Sequence, residues 1–156
     1  MLHRLEPLDE PRLIGVTEVA TLRMAQPALE TVFGFAPRRF EQEGMGELEG
    51  FAAETGSGVP FSLLALAKDG SSWAILAHSI GDVPAVLREL GLAETALQWR
   101  AKKDPVRSWT VVRIDDNGTR TVVQRAPSQS SARRACEYWT LRGGDHKQTW
   151  VVEKAA

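Results

Sequence analysis

The feature that most constrains this chain is a turn signal, Asp115-Asp-Asn-Gly118, set between two strand-like runs, Ser108 to Ile114 and Thr119 to Arg125. Asn-Gly is the strongest two-residue hairpin signal, because both central residues of that turn take positive φ. On such a turn Ile114 faces Thr121 and Val112 faces Val123, which makes Val112, Ile114 and Val123 one apolar face. Trp109, Val111, Arg113 and Val122 fall on the other face. Ser128 then caps a helix whose Ala132, Ala135, Cys136 and Trp139 keep the i, i+3, i+4, i+7 spacing of a buried stripe. Gly143-Gly144 ends that helix, and Gln148 to Glu153 returns as a strand. The C-terminal third is a ββαβ unit, with the inner hairpin face expected against the helix.

The preceding residues read as a separate α+β lobe. Residues 1–12, with Pro7 and Pro11, form an irregular arm. Val16 to Met24 alternates as a strand, with helix the alternative. Pro27 suits the first turn of a short helix through Phe33, which Gly34 stops. Phe40 to Glu54 is extended. Phe61 to Ala67 and Ser72 to Ser79 flank Lys68-Asp69-Gly70-Ser71 as a hairpin. Asp82 is placed as an N-cap, and Val83, Val86, Leu87 and Leu90 line a helix ended by Gly91. Leu97 to Ala101 closes as a strand. The expected fold is α+β: an N-terminal lobe of a small, mostly antiparallel sheet and two helices over 1–100, and the ββαβ unit over 106–156 packed on it. Ala101 to Pro105 forms the boundary. A unit of about 50 residues buries little core by itself, so it needs that lobe or a second copy of the chain.

Charge divides at the same place. From residue 100 onward twelve basic side chains stand against six acidic ones, a formal +6; the first 99 residues hold seven basic and fourteen acidic groups, a formal −7. Such asymmetry is a statement about partners. The single cysteine, Cys136, excludes an internal disulfide. The N-terminal MLHRLEPLDEPRL lacks the apolar core of a signal peptide, and no apolar run reaches membrane-span length, so a cytoplasmic location and no membrane partner are expected.

The run Trp109-Thr-Val-Val-Arg-Ile-Asp-Asp-Asn-Gly118, then Ala132 to Tyr138, then His146-Lys-Gln-Thr-Trp-Val-Val-Glu153, resembles a short module of many small actinobacterial proteins often labelled SPOR-like. The resemblance covers about a third of the chain. SPOR domains proper have a doubled βαβ arrangement and bind peptidoglycan glycan strands, whereas the stretch here carries one ββαβ unit.

Candidate binding residues are Arg120, His146, Lys147 and Gln148. His146-Lys147-Gln148 follows a glycine pair at a strand entrance, where polar side chains reach phosphate, glycan or a protein loop. Alternatively, His146 caps the preceding turn and Lys147 and Gln148 are simply solvated. Arg113, Arg120, Arg125, Arg133, Arg134 and Arg142 could line a stripe for nucleic-acid phosphates, with Trp109 or Tyr138 stacking on bases. Glu41, Glu43, Glu47 and Glu49 share a face on extended chain and form an acidic strip, either solvated or a docking surface for a basic partner. Asp115 and Asp116 belong to the turn rather than to a metal motif, and Cys136 lies on the buried stripe. His78 has no motif-placed nucleophile beside it. No catalytic residue, metal or cofactor is expected.

The reading is a non-catalytic cytoplasmic interaction protein, an adaptor or regulator with a protein partner; a homodimer fits the same features. The alternatives are nucleic-acid binding by the basic unit and an immunity-type inhibitor of a basic toxic enzyme.

Overall fold

The computed structural model describes residues 2–6, 12–42, 46–66, 70–142 and 148–155, and their side chains except those of 40–42, 46–48 and 142. The chain divides into two compact units, Met1–Asp104 and Pro105–Ala156. Both are α+β. No described helix is long and apolar enough to cross a membrane.

The first unit is built on an antiparallel sheet. Its strands are β1 (His3–Arg4), β2 (Thr17–Arg23), β3 (Arg38–Gln42), β4 (Gly46–Glu54), β5 (Pro60–Ala65), β6 (Ser72–Ala77) and β7 (Leu97–Arg100), in the order β1-β4-β5-β6-β2-β7 with β3 also on β4. Thr17–Arg23 is thus a strand, and it lies between β6 and β7. The described residues of Phe40 to Glu54 are extended as expected, in two strands that pair Arg38 with Gly50 and Gln42 with Gly46.

Alternation decides which side chains meet the helices. Phe61, Leu63, Trp73 and Ile75 point to one face, where α1 (Gln26–Phe33) supplies Leu29 and Phe33 and α2 (Val83–Leu90) supplies Val83, Val86, Leu87 and Leu90. Each large apolar side chain buried there contributes roughly 1.5–3 kcal/mol. Trp73 also donates its indole N–H to the Met24 carbonyl at 3.0 Å. Val16, Leu64, Ala74 and Leu76, with Leu13 against them, form a smaller cluster.

Pro27 opens α1, and Gly34 closes it at φ +81. Gly91 closes α2 at φ +69, a conformation that costs glycine nothing. Asp82 stands at the expected N-cap position of α2, but without a capping bond. It is itself helical, because a 3-10 turn over Ile80–Asp82 runs directly into α2. Ser79 caps that turn by accepting from Gly81 N at 3.0 Å, and Asp104 Oδ1 accepts from Ile80 N at 2.7 Å.

The second unit contains β8 (Trp109–Ile114), β9 (Arg120–Ala126), α3 (Gln129–Arg142) and β10 (Thr149–Lys154). Its sheet is ordered β10-β8-β9, antiparallel throughout. Ser128 Oγ accepts from Ser131 N at 3.1 Å, the cap expected from sequence. Ala132 and Ala135 are fully buried, whereas Cys136 and Trp139 are half-buried.

Candidate interaction surface of the C-terminal unit

The hairpin turn differs from a two-residue Asn-Gly turn. Gly118 alone has positive φ, +85, while Asn117 keeps negative φ. Gly118 N donates to Asp115 O and Asp115 N donates to Thr119 O, both at 2.9 Å. The Asn117 Oδ1 accepts from Thr119 N at 2.9 Å. This is a three-residue loop closed by a left-handed glycine.

The longer loop shifts the pairs nearest the turn by one residue, and a bulge restores the expected register beyond them. Ile114 lies opposite Arg120 and Val112 opposite Val122; a bulge then sets Val111 opposite Gln124 and Thr110 opposite Arg125. On β8 the two faces hold the expected residues, but α3 lies against the one opposite to that expected. Trp139 on α3 donates its indole N–H to Gln124 Oε1 at 3.1 Å, so Gln124 is on the helix side. Directly paired residues share a face, which puts Val111 and, through β10, Val152 on that side too. Val112 and Ile114 belong to the face opposite α3, with Val122 and Val151. Val123, the third residue expected against the helix, is the extra residue of the bulge.

Of the nominated binding residues, His146 and Lys147 lie outside the described residues. Gln148 Nε2 donates to Asp115 Oδ1 at 2.9 Å, and Arg113 Nε lies 3.3 Å from the same oxygen. Asp115 thus ties the hairpin turn to the entrance of β10. Trp150 is the cross-strand partner of Arg113, and its buried indole N–H has no hydrogen-bond partner among the described residues. Arg120 is separate from that group and forms an ion pair with Glu153. The structure therefore joins Gln148 to the turn but does not bring Arg120 to it.

The same geometry bears on the basic stripe. Of its six arginines, Arg113 and Arg120 are held by Asp115 and Glu153. Arg125, Arg133 and Arg134 are exposed, and the Arg142 side chain lies outside the description. Tyr138 packs edge-on against Trp139, with ring centroids 5.4 Å apart. Cys136 Sγ donates to the Trp150 carbonyl at 3.4 Å.

In the first unit three glutamates of the acidic strip lie on two strands paired with each other, β3 and β4. Glu41 takes the register position opposite Glu47, and Glu49 takes the one opposite Arg39. Glu43 lies outside the described residues. His78 Nε2 lies 2.6 Å from the Arg12 carbonyl oxygen, within hydrogen-bond distance.

Sequence reasoning missed one feature. The bulge brings Arg120, Val122 and Arg125 onto one face of β9, opposite Ile114, Val112 and Thr110 in turn. Strict alternation would have put Arg125 on the other side. The turn loop was a visible signal, but the bulge was not.

The chain matches no family model, no curated protein and no solved structure.

Proposed function

We propose that the chain is a non-catalytic interaction protein of the cytoplasm, an adaptor or regulator, whose C-terminal unit receives a protein partner. Its likeness to SPOR-like modules belongs to the same proposal: a small ββαβ unit used for binding. The observation that carries the reading is the internal pairing of Arg113 with Asp115 and of Arg120 with Glu153. A phosphate-binding surface needs several cations free to replace counterions, and carboxylates beside them work against that. The unit instead combines scattered charge with exposed apolar and hydroxyl side chains on β9, including Val122, 49% exposed.

The test uses the full chain immobilised on a resin. A host protein retained at moderate salt, identified, purified and shown to bind again by itself supports the reading. Gel shifts with DNA and RNA at low and moderate salt accompany it. Retardation that weakens steeply with salt, with no protein partner rebinding, would overturn it in favour of nucleic acid.

A further inference from the structure

We propose that the outer edge of β9 binds an extended acidic segment of a protein partner as an added strand. This rests on the protein-interaction reading and names the chemistry of the partner. Three observations converge on it.

First, β9 is an outer strand: it pairs with β8 on one side and with no other described strand. Its second row of backbone donors and acceptors is therefore available to another chain. Second, Arg120, Thr121, Val122 and Arg125 are all exposed along this edge. Third, the bulge aligns Arg120, Val122 and Arg125 on one face, so that their partners in β8 are Ile114, Val112 and Thr110, spaced two residues apart.

A regular strand on the outer side of β9 meets this row in the way β8 does. Positions one, three and five of the incoming segment then face a cation, a valine and a cation. The complementary sequence is acidic-x-apolar-x-acidic, spanning about 13 Å from first to fifth residue. Arg125 has no ion pair among the described residues, whereas Arg120 is paired with Glu153, so an incoming carboxylate there exchanges with that contact. Edge charges and bulges deter indiscriminate strand pairing. Here they admit one kind of strand, because like charges opposite each other repel and opposite charges attract.

The charge pattern also selects against a second copy of the chain. If two β9 strands met antiparallel with Val122 opposite Val122, each Arg120 would face an Arg125. Among the described side chains, β7 is the other outer strand with a large exposed apolar residue, Trp99. Its neighbours are already engaged, Gln98 with Ser72 and Arg100 with Glu94. Among the described outer strands, the exposed basic-apolar-basic row is found on β9.

The test measures binding of fluorescent peptides to the full chain by anisotropy. Three peptides differ only in their core: Glu-Thr-Val-Thr-Glu, Lys-Thr-Val-Thr-Lys and Glu-Thr-Pro-Thr-Glu. The first is expected to bind, the lysine peptide to fail, and the proline peptide to lose about tenfold or more, because proline removes a ladder donor. Arg125→Glu should weaken the first peptide by about tenfold and gain binding to the lysine peptide. The three peptides on the unaltered chain decide the matter even if that variant fails to fold. Equal binding of the proline peptide would reduce the effect to charge alone and overturn strand addition. Failure of the first peptide, or indifference to Arg125→Glu in a folded variant, would overturn it too. A chain that rebinds its purified protein partner while ignoring all three peptides keeps the interaction reading and loses only the β9 edge.

Discussion

Arg120 and Glu153, carried by the two outer strands of the C-terminal sheet, form an ion pair that spans the central strand β8. Arg120 lies opposite Ile114 and Glu153 opposite Thr110, so the pair runs diagonally over the row that contains Val112. Both side chains are over two-fifths exposed, which places the pair among surface salt bridges. Glu153→Gln should cost about 0–1 kcal/mol, and less as salt is added. Urea denaturation at two ionic strengths measures this; a salt-independent loss of several kcal/mol would contradict it.

The turn makes a sharper prediction. Gly118 sits at φ +85 with open space where a Cβ would stand, so Gly118→Ala adds backbone strain but no clash. The expected cost is about 1–2 kcal/mol. Asn117 is at negative φ, so Asn117→Gly should destabilise as well, through chain entropy and the lost bond to Thr119 N. A stabilising Asn117→Gly would mean that both residues of the turn take positive φ.

Asp104 holds the end of the first unit. Its carboxylate accepts from Ile80 N at 2.7 Å and from Ser79 Oγ at 3.2 Å, in the manner of a cap supplied from 24 residues away. Asp104→Ala should cost about 1–2 kcal/mol. Hydrogen exchange should report earlier opening at Ile80 and Gly81.

Glu89 links stability to acid. Donation from Gly56 N at 2.6 Å to its carboxylate lowers its pKa below the ordinary 4.5. A depressed carboxylate contributes stability that is complete above the unfolded pKa and is lost as pH falls through the folded one. Glu89→Gln should therefore flatten the acid side of the pH–stability curve. A carboxyl titration by NMR with a midpoint at or above 4.5 would refute the shift.

In the first unit, Trp73→Ala should be the most damaging of these changes. Trp73 is fully buried, packs against Phe51 with ring centroids 5.5 Å apart, and donates to Met24 O. The expected loss is about 3–5 kcal/mol, measured by denaturant unfolding.

What could be read from local sequence was what local physics controls. Pro27 pre-sets a helix start, glycines at 34 and 91 accept the left-handed backbone that ends a helix, and Ser128 supplies an oxygen to an otherwise unpaired amide. Ala132 and Ala135 are buried because helical spacing puts them on one side. The mixed α+β class and the ββαβ order of the C-terminal unit followed from these signals.

The candidate site is only partly legible in the sequence: the strand entrance points to Gln148, but local turn chemistry accounts for Asp115 and gives no sign of the bond between them. The rest was decided by contacts distant in sequence. Strand alternation has a period of two, so the longer turn loop and one bulge set Val122 with Val112 and aligned Arg120 with Arg125, while helix packing decided that Val111 rather than Val112 faces α3. Asp82 holds the cap position of α2 without a capping bond, because a 3-10 turn precedes it and Asp104, distant in sequence, accepts from the start of that turn. Sequence by itself determined which residues favour strand, helix and turn in this protein. Register, face and partner were decided only in the folded state, because those energies exist only once separate segments touch.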